Sequence, residues 1–371
     1  MKIGIVTFHL YNNYGCLLQA FAMQRIILSL GYEVKILHYD YSLSQSLWLQ
    51  VRRYIKYYAF VFINKFFMRE QKIFLESNRF IHENIKRTKK CFFRFQKDIR
   101  EIDVWIVGSD QIWRYEYEAK YKSFFYLDFL TIEKRKKAIA YAASFGINDW
   151  DYPIELEQKC SELANDFKAI SVREKDSIGL CKDYLNIIAQ QMPDPTLLLR
   201  KSDYDFLVKK DIDRGFLVDE IYGPYVCTYI LDPSEYLNNS ILQFSKKNKC
   251  KIINIAPLHE NDVKRDESYI SIAKWIKCIR DAKYFITDSF HGCVFSIIFN
   301  KPFICLGNKS RGNARFDTLL KTFHLEDRLI SEITADEIVK ILQKPIDWDL
   351  VNTIHDQERA RGLNFLKDNL K

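Results

Sequence analysis

Lys2-Ile-Gly-Ile-Val-Thr-Phe8, then Tyr11-Asn-Asn-Tyr-Gly15, then Cys16 to Leu30, Gly31, and Val34-Lys-Ile-Leu37: read in order, these pieces decide the fold. The first is a short apolar run without polar alternation, which predicts a strand buried on both faces. A polar loop follows. Residues 16–30 place apolar side chains at helical spacing, and Gly31 is a stop signal. Val34–Leu37 reads as the next strand. A strand, a helix and a second strand at this spacing open a doubly wound parallel sheet.

Working outward, the same logic predicts strands at Ile102–Val107, Ala138–Ala143 and Ile170–Val172, with helices at Glu155–Phe167 and Asp176–Leu180. Pro193-Asp-Pro-Thr196 breaks the pattern: two prolines this close oppose a helix and favour an extended connector. A second alternation then begins. Strands are expected at Tyr225–Leu231, Ile252–Ile255, Tyr284–Thr287 and Phe303–Cys305, and helices at Glu235–Asn248, Ser271–Asp281 and Gly292–Phe299. The expectation is an α/β protein of two Rossmann-like domains facing a cleft. They comprise residues 1–195, with an insertion near 47–100, and 196–371. Ligands would sit beyond the carboxyl ends of the strands. Residues 336–371 read as helical, a C-terminal stretch expected to pack back on the first domain.

Composition narrows the class. The chain has 371 residues, 48% hydrophobic, with only 12 Gly and 8 Pro, which excludes a disordered or fibrous protein. Its net charge of +8 is uneven: residues 51–100 hold 14 basic and 4 acidic side chains, and the rest is slightly acidic. That distribution argues against a nucleic-acid binder. The nine cysteines form no CxxC pair, so no zinc knuckle is expected, and their apolar contexts predict buried, reduced thiols. No run approaches the ~18 apolar residues of a spanning helix, so a cytoplasmic protein is expected.

Several loops could carry chemistry. Asn13 and Tyr14 lie where a βα turn feeds a helix, either a ligand loop or an ordinary turn. Gly108-Ser109-Asp110-Gln111 follows a strand and offers polar contacts, although Asp110 could equally cap a helix. Arg173, directly after a strand, could present a fork to phosphate or carboxylate, or pair with Glu174 or Asp176. The strongest group is Thr287-Asp288-Ser289-Phe290-His291-Gly292-Cys293. A histidine at a strand-to-helix turn suits acid–base work near neutral pH, Asp288 could orient it, and Cys293 reads as a small buried residue. Between Trp48 and Phe74, Arg52, Arg53, Lys56, Lys65, Arg69 and Lys72 interleave with aromatic rings. That stretch either packs on the domain with solvated cations or lies in an anionic membrane interface.

Taken together, the ordered set Thr7-Phe-His9, Asn13-Tyr-Gly15, Leu18-Gln-Ala20, Val107 to Trp113, Ala140 to Gly146, Ser171-Val-Arg-Glu174, Asp194-Pro-Thr-Leu-Leu198, Thr287 to Gly292 and Asn300-Lys-Pro302 resembles the polysaccharide pyruvyl transferases. The resemblance implies a glycosyltransferase-B-like fold. It also implies transfer of the enolpyruvyl unit of phosphoenolpyruvate onto two hydroxyls of one sugar in a bacterial surface polysaccharide or its lipid-linked precursor. It assigns His291 and Asp288 to catalysis, and Arg173, Ser289, Gly292, Lys301 and Arg315 to the donor. Asn13, Tyr14, Ser109, Asp110 and Gln111 go to the acceptor. Some members resemble Arg-x-His-Gly where this chain has Ser289-Phe-His-Gly, so either Lys301, Lys309, Arg311 or Arg315 supplies the cation or the donor differs. No cofactor or metal is expected. The partners expected are phosphoenolpyruvate, a glycan acceptor, most simply lipid-linked, and a membrane surface met through residues 48–74. The competing reading is a nucleotide-sugar-dependent glycosyltransferase of the same fold.

Overall fold

Two parallel sheets carry the chain. The computed structural model describes residues 1–67, 74–217, 223–257, 270–307 and 312–371. They form two units, residues 1–198 with 361–371, and residues 199–360. The first unit contains β1 (Lys2–Val6), β2 (Glu33–Ile36), β3 (Val104–Val107), β4 (Ile139–Ala143), β5 (Ala169–Val172) and β6 (Gln190–Gln191), in the order β2-β1-β3-β4-β5-β6. All five pairings are parallel. Strand order reverses between β1 and β3, so the loops after these two strands flank the crevice where such sheets bind ligands.

The second unit repeats the plan with β7 (Tyr225–Tyr229), β8 (Lys251–Asn254), β9 (Tyr284–Thr287), β10 (Phe303–Leu306) and β11 (Leu329–Ile330), in the order β11-β10-β9-β7-β8. Its reversal lies between β7 and β9. The cores explain the strands: Trp105, Val107, Ala140 and Val172 are buried in the first unit, and Val226, Ile286 and Ile304 in the second.

The expected helices appear with small shifts. Helix α1 spans Tyr14–Ser29, two residues earlier than expected, because Asn13 caps it and accepts from the Cys16 N–H at 3.0 Å. Helix α2 spans Leu47–Phe67. Of the cations expected around it, Arg69 and Lys72 lie outside the described residues. Among the described residues no helix is long and apolar enough to cross a membrane. All nine cysteines are buried and free.

One expectation here needs correction. Pro193–Thr196 does not lead into an extended connector. Asp194 Oδ1 accepts from the Thr196 N–H (2.9 Å) and hydroxyl (2.7 Å), which folds Pro195–Leu198 into a 3-10 turn. The C-terminal stretch is two helices, Ala335–Gln343 and Trp348–Asn369, separated around Pro345. Residues 361–371 belong to the first unit. There Arg361 donates to Gln191 Oε1 at 2.7 Å, and Gly362 lies so close that a Cβ would meet the Tyr141 hydroxyl at 2.4 Å.

Candidate active site

In the first unit the loops after β1 and β3 are stitched by buried side chains. Gln19, on α1, donates from Nε2 to Thr7 Oγ1 at 2.9 Å and accepts from the Ser109 N–H at 3.3 Å. One amide thus ties both switch-point loops to the helix between them. Gly108 has φ +120°, and a Cβ there would meet Tyr141 O at 2.2 Å, so only glycine lets the post-β3 loop cross β4 this closely. Ser109 Oγ lies 3.0 Å from Ala142 O and 3.2 Å from Asp194 Oδ2, with one proton to give to either. The register of β4 against β5 shifts between Ala140 and Ala143, a bulge that turns the Ala142 carbonyl toward this loop.

Arg173 is the hub of this cluster. It is 2% exposed, donates to Asp194 at 2.8 Å, and has Glu174 at 3.5 Å and Asp110 at 3.9 Å. Burial opposes its charge, but the three carboxylates more than offset it and hold the guanidinium protonated. Glu174 accepts from Ser177 at 3.1 Å and from Ser144. The fork expected to clamp a ligand is therefore committed to an internal ion-pair network. Asp110 does not cap a helix either: it has φ +71° and accepts from the Gln111 N–H at 2.9 Å. Gln111 and Tyr14 are buried. His9, in the post-β1 loop, stacks on Tyr39 at 4.1 Å, and burial, with help from Lys90, pushes its pKa down to about 4.

In the second unit β9 ends at Thr287, whose hydroxyl donates to Tyr229 O (2.7 Å) and accepts from the Ser289 N–H (3.0 Å). Asp288 spends both oxygens on the loop after β7, accepting from the Leu231 and Asp232 N–H groups, each at 2.8 Å. This joins the two switch-point loops, as Gln19 does in the first unit. Ser289 caps helix Phe290–Ile298 through the Gly292 N–H at 3.5 Å. A Cβ on Gly292 would meet Thr287 Oγ1 at 2.4 Å, which explains glycine there. His291 is in the first helical turn, 8% exposed, edge-on to Phe290 at 5.3 Å. The guanidinium of Arg315 lies over the Phe290 ring at 5.8 Å.

The structure thus brings Asp288, Ser289, His291, Gly292 and Arg315 together at the carboxyl ends of β9 and β10. It does not bring Lys301. That residue precedes β10 and donates to Ala282 O at 3.2 Å, just before β9, at the opposite end of the sheet. Lys309 and Arg311 lie outside the described residues. Cys293 is fully buried, as expected, and burial pushes the thiol of its neighbour Cys305 well up. A cavity of about 130 Å³ opens beside Asp288, lined by Asp232, Ser234, Tyr236, Gly307 and Glu332 among others. Its two further carboxylates suit hydroxyl groups and disfavour an anion. Among the described residues no three His, Cys, Asp or Glu side chains are grouped to hold a metal ion. Sequence reasoning missed the roles of Gln19, Thr287 and Asp194. Asp194 stood between two prolines in a stretch read as extended, and nothing in its spacing marked it as the partner of Arg173.

A family model described as polysaccharide pyruvyl transferase matches residues 13–310, four-fifths of the chain. The chain belongs to the polysaccharide pyruvyl transferase family. It is accordingly an enzyme, a transferase of polysaccharide pyruvylation. No curated protein matches it. Among solved structures it is similar to the UDP-GlcNAc 2-epimerase of Methanocaldococcus jannaschii, at 12% identity and a TM-score of 0.55, covering 98% of this chain and 100% of that one. It is also similar to the UDP-GlcNAc 2-epimerase of Neisseria meningitidis bound to UDP-GlcNAc, at 11% identity and a TM-score of 0.51, covering 100% and 99%. At such identity the likeness is one of fold, and that fold is glycosyltransferase-B-like, as expected.

Proposed function

We propose that this pyruvyl transferase moves the enolpyruvyl group of phosphoenolpyruvate onto two hydroxyls of one sugar, in a surface polysaccharide or its lipid-linked precursor, forming a pyruvate ketal. The balance closes without a co-reactant. C2 gains two C–O bonds and loses its bond to the phosphate oxygen and its π bond to C3, whose electron pair takes a proton to make C3 a methyl group. Of the two hydroxyl protons, one matches the proton taken up at C3 and the other leaves with phosphate. The supporting observation is the family match over residues 13–310, which runs through the His291 turn.

In this reading His291 handles protons, and Arg315 offers positive charge to the donor's phosphate or carboxylate. Asp288 and Arg173 are positioning residues: each fixes loops at a switch point. The Ser109–Gln111 loop remains the acceptor candidate in the first unit. The test is phosphate release measured with phosphoenolpyruvate, with a panel of lipid-linked and free saccharides, and with both. Release should require both substrates, and His291→Ala should lower it about 10²–10⁴-fold with the fold intact. Release that persists in His291→Ala would remove the catalytic assignment. Stabilisation by a nucleoside diphosphate but not by phosphoenolpyruvate would favour a glycosyltransferase.

A further inference from the structure

Among the described residues, helix α2 is held to the first unit along one side. Gln50 is buried and donates to Gln45 O at 3.0 Å, while Tyr54 and Tyr57 pack on Phe92 at 5.6 and 5.3 Å. The other side is apolar and exposed. Trp48, Val51, Ile55, Tyr58 and Phe62 follow one another at spacings of three and four, so they form a single stripe. Trp48 is 67% exposed, Ile55 60% and Phe62 67%. From 48 to 62 the stripe is about 20 Å long at 1.5 Å per residue. An exposed apolar face of this size on a protein surface marks an interaction site.

Its border says with what. Arg52 and Lys56 are exposed and follow directly round the helix from the stripe, and the Arg52 guanidinium lies 5.5 Å from the Trp48 ring. No Asp or Glu occurs between residues 47 and 67. A second element extends the surface. Phe95 is 60% exposed and stacks on Phe93 at 5.1 Å, Phe93 packs on Tyr54 at 5.4 Å, and Arg94 between them is exposed. An apolar stripe bordered by cations with no anion among them is mismatched to a second copy of itself, which would set like charges together. Among the described residues it is also not apolar enough to span a bilayer. It matches the boundary between acyl chains and anionic headgroups.

We propose that α2, with the Phe93–Phe95 loop, docks this protein on an anionic lipid surface, lying in the interface with its stripe in the acyl region. The inference stands apart from the donor and acceptor assigned above, because it is tested without turnover. Full-length protein is sedimented with vesicles of phosphatidylcholine alone or with one-third phosphatidylglycerol. Wild type should bind the anionic vesicles at least ~100-fold more tightly, since each cation near such a surface is worth about fivefold. Arg52→Gln, Arg53→Gln and Lys56→Gln together should weaken that binding ~100-fold. Trp48→Ala, Ile55→Ala and Phe62→Ala together should weaken it at least as much. These side chains are exposed, so unfolding midpoints should stay at the wild-type value. Wild type that stays in the supernatant, or variants that bind like wild type, would overturn the proposal. So would a wild-type dimer that the alanine variant converts to monomer, since the stripe would then belong to a second copy.

Discussion

The two sheets share one strand order, and the third strand of each ends in an aspartate–serine pair, Ser109-Asp110 after β3 and Asp288-Ser289 after β9. What surrounds the pairs differs. After β3 the chain stays in a loop held by buried charge, with Arg173 among Asp194, Glu174 and Asp110. After β9 a helix starts at once, and Asp288 is satisfied by two backbone N–H groups. The first arrangement fixes a shape through side chains far apart in sequence. The second fixes a shape locally and leaves a histidine in the first turn.

The contrast breaks most sharply at Arg173. Arg173→Ala leaves three carboxylates near one another without their cation, and removing one partner of a buried pair costs about 3–5 kcal/mol. We expect the first unit to unfold at markedly lower urea while the second keeps its midpoint, as read by hydrogen exchange resolved along the chain. Equal destabilisation of both units, or none, would mean that the network does not hold the first switch point.

Acid should act on the same unit next. His9 and His38, both in the first unit, have pKa values pushed down to about 4 by burial, with Lys90 adding to His9 and Arg87 to His38. The unfolded chain titrates near 6.5, so between 6.5 and 4 it binds more protons than the folded one. Stability is therefore retained above pH 6.5 and lost as pH falls toward 4. The upper bound is about 3 kcal/mol per histidine, less for His38, which is more open to solvent. Replacing both with Gln should flatten the pH dependence of the first unit's urea midpoint over that window. A slope unchanged by the double variant would assign the acid sensitivity elsewhere. In the second unit the matching probe is Asp288→Asn. It keeps one acceptor but sets an amide N–H against a backbone N–H, at about 1–3 kcal/mol. A variant as stable as wild type would show that the post-β7 loop does not depend on Asp288.

These differences mark where the sequence could be read and where it could not. Strands β1, β3, β4 and β9 were legible because strands buried on both faces are near-continuous apolar runs. The His291 turn was legible because its residues are contiguous. Strands β6 and β11 were missed because two residues carry no period. The ion-pair network was missed because Arg173 and Asp194 are 21 residues apart and spacing does not report which carboxylate a guanidinium meets. Lys301 was misplaced for a related reason: it lies ten residues after His291, but the intervening helix carries the chain back to the amino end of the sheet before β10 starts. The boundary of α1 shifted because Asn13 was weighed as a ligand group when its oxygen was already needed as a cap.

That last point leads to the finest test of the comparison. Asn13 and Ser289 both cap a helix at a switch point, the first at 3.0 Å and the second at 3.5 Å. Losing an N-cap costs about 1 kcal/mol, and the shorter bond should cost more. Asn13→Ala should therefore lower stability more than Ser289→Ala, with Asn13→Asp restoring it. Activity should rank the other way. The cap at 289 sets the first turn that carries His291, so its loss should lower kcat for phosphate release more than it lowers stability. Ser289→Thr should recover both. If Ser289→Ala left kcat unchanged while Asn13→Ala reduced it, the catalytic turn would lie after β1, and the roles of the two units would be exchanged.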